Sequence, residues 1–221
     1  HRSRLDNKIL IEQSQHWEKS FSSKPEMFGI EPSHSAKIAL ENFKKNNIKR
    51  IIELGAGLGR DTIFFAKNSI KVTALDFSPT AIKIIRNKSN SLGLNDLIQV
   101  QKHDFREKFI FKNNSYEGCY SHMLYCMAFT NLEIENLNDE VCRILKKDAI
   151  NIYTARNHLD ADYKKGIHRG EDLYEMNGYI VHYFSDEKFK KLEKGFKNIR
   201  IDHFDEGIFP RKLSIVINQK V

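Results

Sequence analysis

The stretch Arg50-Ile51-Ile52-Glu53-Leu54-Gly55-Ala56-Gly57-Leu58-Gly59-Arg60-Asp61 restricts the possible folds of this chain more than any other. It reads as a buried strand running into a glycine-rich turn and then a helix, the arrangement with which α/β proteins hold a nucleotide. Glycines at 55, 57 and 59 permit a tight turn and, lacking Cβ atoms, let backbone N–H groups at a helix start approach a ligand closely. A dinucleotide fingerprint would require a further glycine at position 60, where Arg60 stands. NAD and FAD are therefore disfavoured. Glu53, two residues before the first glycine, would repel a pyrophosphate and suits a ligand carrying a cationic amine.

Two further segments follow at the spacing of a nucleotide fold. Lys71-Val72-Thr73-Ala74-Leu75-Asp76-Phe77 is a short apolar strand ending in a carboxylate, about 20 residues after the first glycine, where such folds place a ribose-binding acid. Asp76 is that acid, and hydrogen bonds to a charged group contribute roughly 1.5–3 kcal/mol each. Leu97 to Phe105 is a third strand that ends in a carboxylate and a ring, Asp104-Phe105.

An acidic residue, a spacer and G-x-G-x-G, followed by these two strand ends, resemble the class I S-adenosylmethionine-dependent methyltransferases, from roughly residue 46 to 155 and more loosely beyond. The resemblance implies an α/β fold: a Rossmann-like doubly wound sheet of seven strands, mostly parallel with an antiparallel C-terminal hairpin, with helices on both faces. It implies S-adenosylmethionine as cofactor and S-adenosylhomocysteine as product. The residues it implies for cofactor binding are Trp17, Glu53, Gly55, Ala56, Gly57, Gly59, Arg60, Asp76, Phe77, Ser78, Asp104, Phe105 and Ser121. Among these, Asp104 would face the adenine amino group, Phe77 and Phe105 its ring, and Arg60 the cofactor's carboxylate.

A length of 221 residues suits one domain with a sizeable core. We expect a leader (1–34) that folds over the site as a lid, a cofactor-binding core (35–155), a substrate cap (156–184), and a C-terminal helix with a β-hairpin (185–221). The excess of 36 Lys+Arg over 29 Asp+Glu, a net charge of +7, is spread along the chain rather than gathered into a stripe. Nucleic acid is therefore an unlikely partner. Three cysteines, Cys119, Cys126 and Cys142, without C-x-x-C spacing, point to a reducing cytoplasm rather than a disulfide framework or zinc site. No apolar run approaches the roughly 18 residues of a membrane span, and a monomer or homodimer is expected.

Along the rest of the chain, Ala36, Ala39, Leu40 and Phe43 keep helical spacing, Ser78-Pro79 marks a helix start, and Asn131 is the expected cap of a later helix. Ala149 to Thr154 reads as a strand, and so do Phe196–Phe204 and Lys212–Asn218, joined through Asp205-Glu206-Gly207. Methyl transfer is a direct displacement, so a site must chiefly align the acceptor and exclude water. The candidates for touching the acceptor are His122 and Tyr125, just beyond a strand spanning Tyr116–Ser121, together with Arg156 and His168 in the polar and aromatic segment Ala155–Phe184. Taken singly, such a histidine is more often a surface or capping residue. His158-x-Asp160-x-Asp162 has ligand-type side chains, but the pattern is common on loops, and no metal is assigned.

Compact size, the G-x-G-R-D-T form of the glycine loop and the aromatic leader resemble the small-molecule group that includes the tellurite-resistance and thiopurine methyltransferases. Cys119-Tyr120-Ser121-His122 lacks the Asn/Asp-Pro-Pro-Tyr/Phe sequence of enzymes that methylate base amino groups. The expected acceptor is thus a small thiol, metalloid oxyanion, amine or hydroxyl compound. The alternatives are an RNA or protein methyltransferase, or a cofactor-binding module without activity.

Overall fold

Strand residues alternate between two apolar layers, and this alternation fixes the architecture. The computed structural model describes residues 5–221, so the first four residues of the leader lie outside it. In chain order the elements are α1 (Asn7–Ser23), α2 (His34–Lys45), β1 (Arg50–Leu54), α3 (Arg60–Lys67), β2 (Lys71–Asp76), α4 (Pro79–Ser91), β3 (Ile98–Lys102), β4 (Tyr116–Ser121), α5 (Asn131–Ile144) and β5 (Leu145–Arg156). Three short strands follow, β6 (Ile167–His168), β7 (Leu173–Met176) and β8 (Tyr179–His182), and then α6 (Asp186–Lys191), β9 (Phe196–Glu206) and β10 (Arg211–Lys220).

Seven strands form one sheet in the order β3-β2-β1-β4-β5-β10-β9. Neighbours from β3 to β5 are parallel, whereas β10 runs antiparallel to both β5 and β9. Ile51, Tyr120, Ile152 and Ile215 pack in one layer with Phe43 of α2 and Phe65 of α3. Their chain neighbours Ile52, Cys119, Tyr153 and Val216 pack in the other with Val141 and Ile144 of α5. Because both faces are covered, the strands read as nearly continuous apolar runs. The expected Rossmann-like sheet with an antiparallel C-terminal end is the observed one. Strand order reverses between β1 and β4, and the crevice beyond their carboxyl ends is where open α/β sheets bind ligands.

Local signals explain the boundaries. Ser33 and Ser78 cap α2 and α4 by accepting the N–H of Ala36 and Ala81, and Pro79 follows at the first helical position of α4. Thr130 rather than Asn131 caps α5, because its hydroxyl and the Glu133 carboxylate satisfy each other's backbone N–H groups in a capping box. β5 begins at Leu145, four residues before the expected Ala149. Its early part pairs Leu145 with Tyr116, and the register then shifts before Gly118 meets Ile150. The polar segment after β5 is not merely loop: β6, β7 and β8 form a separate antiparallel sheet. β9 likewise continues past Phe204 to Glu206.

Candidate active site

Glycine geometry at the end of β1 opens the site. Gly55, Gly57 and Gly59 all have positive φ, at 69°, 55° and 82°. A Cβ on Gly57 would meet nothing nearer than Phe28 Cε2 at 4.0 Å, so that backbone borders open space. On Gly59 it would come within 2.7 Å of Cγ1 of buried Ile85. Gly59 therefore serves the close packing of α3 on α4, and it caps α3 in the left-handed conformation.

Three buried acids gather around this loop. Thr62 Oγ1 donates to Glu53 Oε2 at 2.5 Å. Asp61 accepts the Ser33 N–H (2.8 Å), the Ser33 hydroxyl (2.7 Å) and the Tyr120 hydroxyl (2.8 Å). Asp76 accepts the Gly57 N–H at 2.8 Å and the Ser78 N–H at 3.0 Å, one on each oxygen. Burial pushes Glu53 well above the carboxylate range; the charges of Asp61 and Asp76 add to this and the Thr62 hydroxyl opposes it. Burial also raises Asp76 to about 6 against the pull of the Ser78 and Gly57 N–H groups. A ligand cation would relieve this crowded negative charge.

A single cavity of about 550 Å³ extends from this loop. Of the residues expected at the cofactor, Trp17, Glu53, Gly55, Ala56, Gly57, Arg60, Asp76, Phe77, Asp104 and Phe105 line it, and so do the acceptor candidates His122 and Arg156. Four expected residues do not line it, besides Gly59. Ser78 caps α4 and gives its hydroxyl to Glu18 of α1. Ser121 is 1 % exposed at the end of β4, its hydroxyl unpartnered among the described residues. Tyr125 is fully buried in the α5-side layer, stacked on Tyr153 with centroids 4.5 Å apart. His168 is exposed on the short sheet, where its Nε2 meets the Glu171 carbonyl at 2.8 Å. Tyr125 and His168, expected at the acceptor, thus stand outside the cavity lining.

Arg156 reaches the cavity wall with its guanidinium already engaged. Nε and Nη2 bind Asp160 at 2.9 and 2.6 Å, and Nη2 binds Asp162 at 2.9 Å. The His158-x-Asp160-x-Asp162 acids are thus spent on an arginine. Arg60 donates to the Phe28 carbonyl at 3.1 Å and lies 4.0 Å from Asp61.

The leader closes one side. Glu18 accepts the hydroxyls of Ser78 and Thr80 and the Thr80 N–H, tying α1 to the start of α4. Gln13 donates to the Gly178 carbonyl at 2.6 Å and accepts the Ile180 N–H at 3.1 Å, while Trp17 packs on Tyr179 at 4.9 Å. Hence α1 and the β7–β8 hairpin together cover the cavity. Sequence reasoning missed Glu18, Tyr179, Tyr183, Glu206 and Arg211. The tyrosines stood out only as members of an aromatic-rich segment, and Glu206 was read as part of a turn.

Residues 51–148 match the family model described as "Methyltransferase domain". Release factor glutamine methyltransferase of Dictyoglomus turgidum (strain DSM 6724 / Z-1310) is 30% identical over 100 residues, which are 44% of this chain and 29% of that protein. The chain therefore spans less than a third of the length of this curated relative. Among solved structures, Burkholderia thailandensis 1,6-didemethyltoxoflavin-N1-methyltransferase, with bound 1,6-didemethyltoxoflavin and S-adenosylhomocysteine, superposes with TM-score 0.76 at 12% identity, covering 98% of this chain and 91% of that one. The [4+2]-cyclase SpnF superposes with TM-score 0.70 at 12% identity, covering 94% of each chain. The matched segment holds the glycine loop and runs from β1 to the start of β5, and the sheet around it has the fold of these solved structures.

Proposed function

We propose that this protein transfers the methyl group of S-adenosylmethionine to a small-molecule acceptor and releases S-adenosylhomocysteine. The carrying observation is one continuous cavity that joins the acids of the glycine loop to an end roofed by α1 and the β7–β8 hairpin. Its volume lies within the ~300–1,000 Å³ of small-molecule sites.

The residues fit the cofactor. Asp76 keeps a lone pair on each oxygen for ribose hydroxyls, Gly57 leaves open space for a close backbone approach, and the Glu53 cluster favours an ammonium. Asp104, Phe77 and Phe105 are assigned to the adenine, and Arg60 to the carboxylate. When bound, the cofactor supplies a methyl group activated by a positively charged sulfur. The chain supplies alignment and a covered site, which methyl transfer chiefly requires.

The chain is read as one domain, with leader 1–34, core 35–155, cap 156–184 and C-terminal unit 185–221. The finer placement, beside the tellurite-resistance and thiopurine methyltransferases with a thiol, metalloid oxyanion, amine or hydroxyl acceptor, is supported by the aromatic leader lying over the site. The roofed cavity favours a small acceptor over RNA or protein. The test is S-adenosylhomocysteine production from a panel of such acceptors, with cofactor affinity measured by calorimetry. Turnover on at least one small acceptor is expected. Tight cofactor binding with no turnover across the panel would refute this reading in favour of a macromolecular acceptor or a non-catalytic module.

A further inference from the structure

The cavity wall also carries two opposite charges that do not neutralise each other directly. Glu206 and Arg211 are cross-strand partners at the turn end of the β9–β10 hairpin, so their side chains share one face. Both line the cavity. No ion pair joins them among the described residues, and Arg211 makes no side-chain hydrogen bond there. Its positive charge nevertheless bears on Glu206 and on the thiol of fully buried Cys126. Arg156, by contrast, is consumed by Asp160 and Asp162.

His122 stands behind Glu206 and has no free nitrogen to offer. Its Nδ1 lies 2.8 Å from Thr154 Oγ1 and 3.2 Å from Ser35 Oγ, and its Nε2 lies 3.1 Å from Glu206 Oε1. Thr154 Oγ1 already accepts the Met123 N–H at 2.9 Å, leaving its own proton to donate to Nδ1. Nε2 is then the nitrogen whose proton faces Glu206 and donates to it. Burial would raise the Glu206 carboxyl, but the His122 hydrogen bond and the charges of His122, Arg60 and Arg211 prevail and hold it below the ordinary range. Glu206 is therefore a fixed acceptor with lone pairs left over, and His122 is a positioning residue. The same cavity is lined by flat or adaptable apolar side chains: Trp17, Tyr179, Tyr183, Met123 and Met176.

We propose that Glu206 and Arg211 form the acceptor-recognition pair of this cavity, and that the acceptor is a planar heterocycle presenting an N–H donor beside a carbonyl oxygen. This deepens the methyl-transfer reading and rests on it. Glu206 accepts the ring N–H, Arg211 donates to the adjacent oxygen, and the aromatic walls flank the ring.

The test is calorimetry on the full chain saturated with S-adenosylhomocysteine, using pteridine-2,4-dione, its 1,3-dimethyl derivative, which lacks the N–H donors, and glycine as a non-planar zwitterion. The parent should bind the dione at least about tenfold more tightly than the dimethyl compound, since a hydrogen bond to a charged group is at stake. Glu206→Leu should abolish that preference and Arg211→Met should weaken both heterocycles, with cofactor affinity unchanged within about threefold in each. Glu206→Gln, which keeps one acceptor oxygen, should retain part of the preference. The pair is refuted if the parent ignores the dione, prefers glycine, or binds both heterocycles alike, or if Glu206→Leu still discriminates. Failure of the parent to bind S-adenosylhomocysteine would instead refute the methyl-transfer reading, and the heterocycle titration without cofactor would still decide the pair.

Discussion

Alanine at Gly59 and alanine at Gly57 should damage different properties, although the two glycines stand two residues apart in one loop. At Gly59, φ is 82° and the new Cβ would lie 2.7 Å from Ile85 Cγ1. Ile85 is fully buried and β-branched, so it cannot swing away cheaply. The left-handed backbone costs about 1–2 kcal/mol for a residue with a Cβ, and overpacking about 1–3 kcal/mol more. The sum, roughly 2–5 kcal/mol, corresponds to about 4–20 °C in Tm for a chain of this size. At Gly57 only the backbone term applies, because the nearest atom is 4.0 Å away. A fall of roughly 2–8 °C is expected there. Its methyl, however, enters the space where the cofactor must approach the backbone, and S-adenosylhomocysteine affinity should drop at least about tenfold. Thermal melts and calorimetry at 15 °C on both variants separate the effects. Cofactor affinity unchanged in Gly57→Ala, or lost in a Gly59→Ala protein that melts like the parent, would refute the division between packing and binding glycines.

Further outcomes follow from the same geometry. Asp76 is raised to about 6, so the stability it contributes is complete below its ordinary pKa and is lost as pH rises through about 6. Ribose hydroxyls need the carboxylate, so S-adenosylhomocysteine affinity should fall from pH 7 to pH 5; a flat calorimetric profile would remove Asp76 from the ribose. Glu18 is held below the usual carboxylate range: burial would raise it, but its hydrogen bonds from Ser78 and Thr80 and the charge of Lys102 outweigh that. The attachment of α1 is then present above the ordinary carboxylate pKa and lost as pH falls through the depressed one. Glu18→Ala should expose α1 to hydrogen exchange at neutral pH, and identical exchange in parent and variant would show that the latch is idle. Tyr125→Phe removes a 3.5 Å contact to Asn138 and the hydroxyl's interaction with Asn151, both deep in the core, so turnover should stay within about twofold while stability falls by about 1–2 kcal/mol. A large loss of turnover in a stable Tyr125→Phe protein would return that hydroxyl to the chemistry.

That Glu53, the glycine loop, Asp76 and Asp104 would meet at one cavity was legible in the sequence because its determinants are local. Glu53 and the glycines are contiguous, and Asp76 and Asp104 each terminate a strand whose apolar run marks it. A strand end in a parallel sheet fixes the position of the residue that closes it, so the spacing of three such ends amounts to a spatial statement. The same local reading erred where packing decides. Gly59 fits the motif as well as Gly57 does, and only the approach of Ile85 tells them apart. Tyr125 follows a strand that ends at the crevice, yet the chain turns at Met123, whose φ is 62°, and the ring is carried back into the layer beneath.

The cover of the cavity was hidden because it is made by contacts between residues far apart in the chain. His122 meets Glu206 across 84 positions, Ser20 meets Tyr179 across 159, and Gln13 meets Gly178 across 165. No period or motif encodes such distances. Glu206 illustrates the cost: its neighbours Asp205 and Gly207 are turn formers, so composition assigns it to the turn, whereas the ladder to Arg211 extends β9 far enough to turn its side chain into the cavity. The division has a functional logic. A glycine loop encoded locally would keep its geometry if the leader, the short antiparallel sheet and the C-terminal hairpin changed, and on the proposed function those three pieces would supply the residues that choose an acceptor.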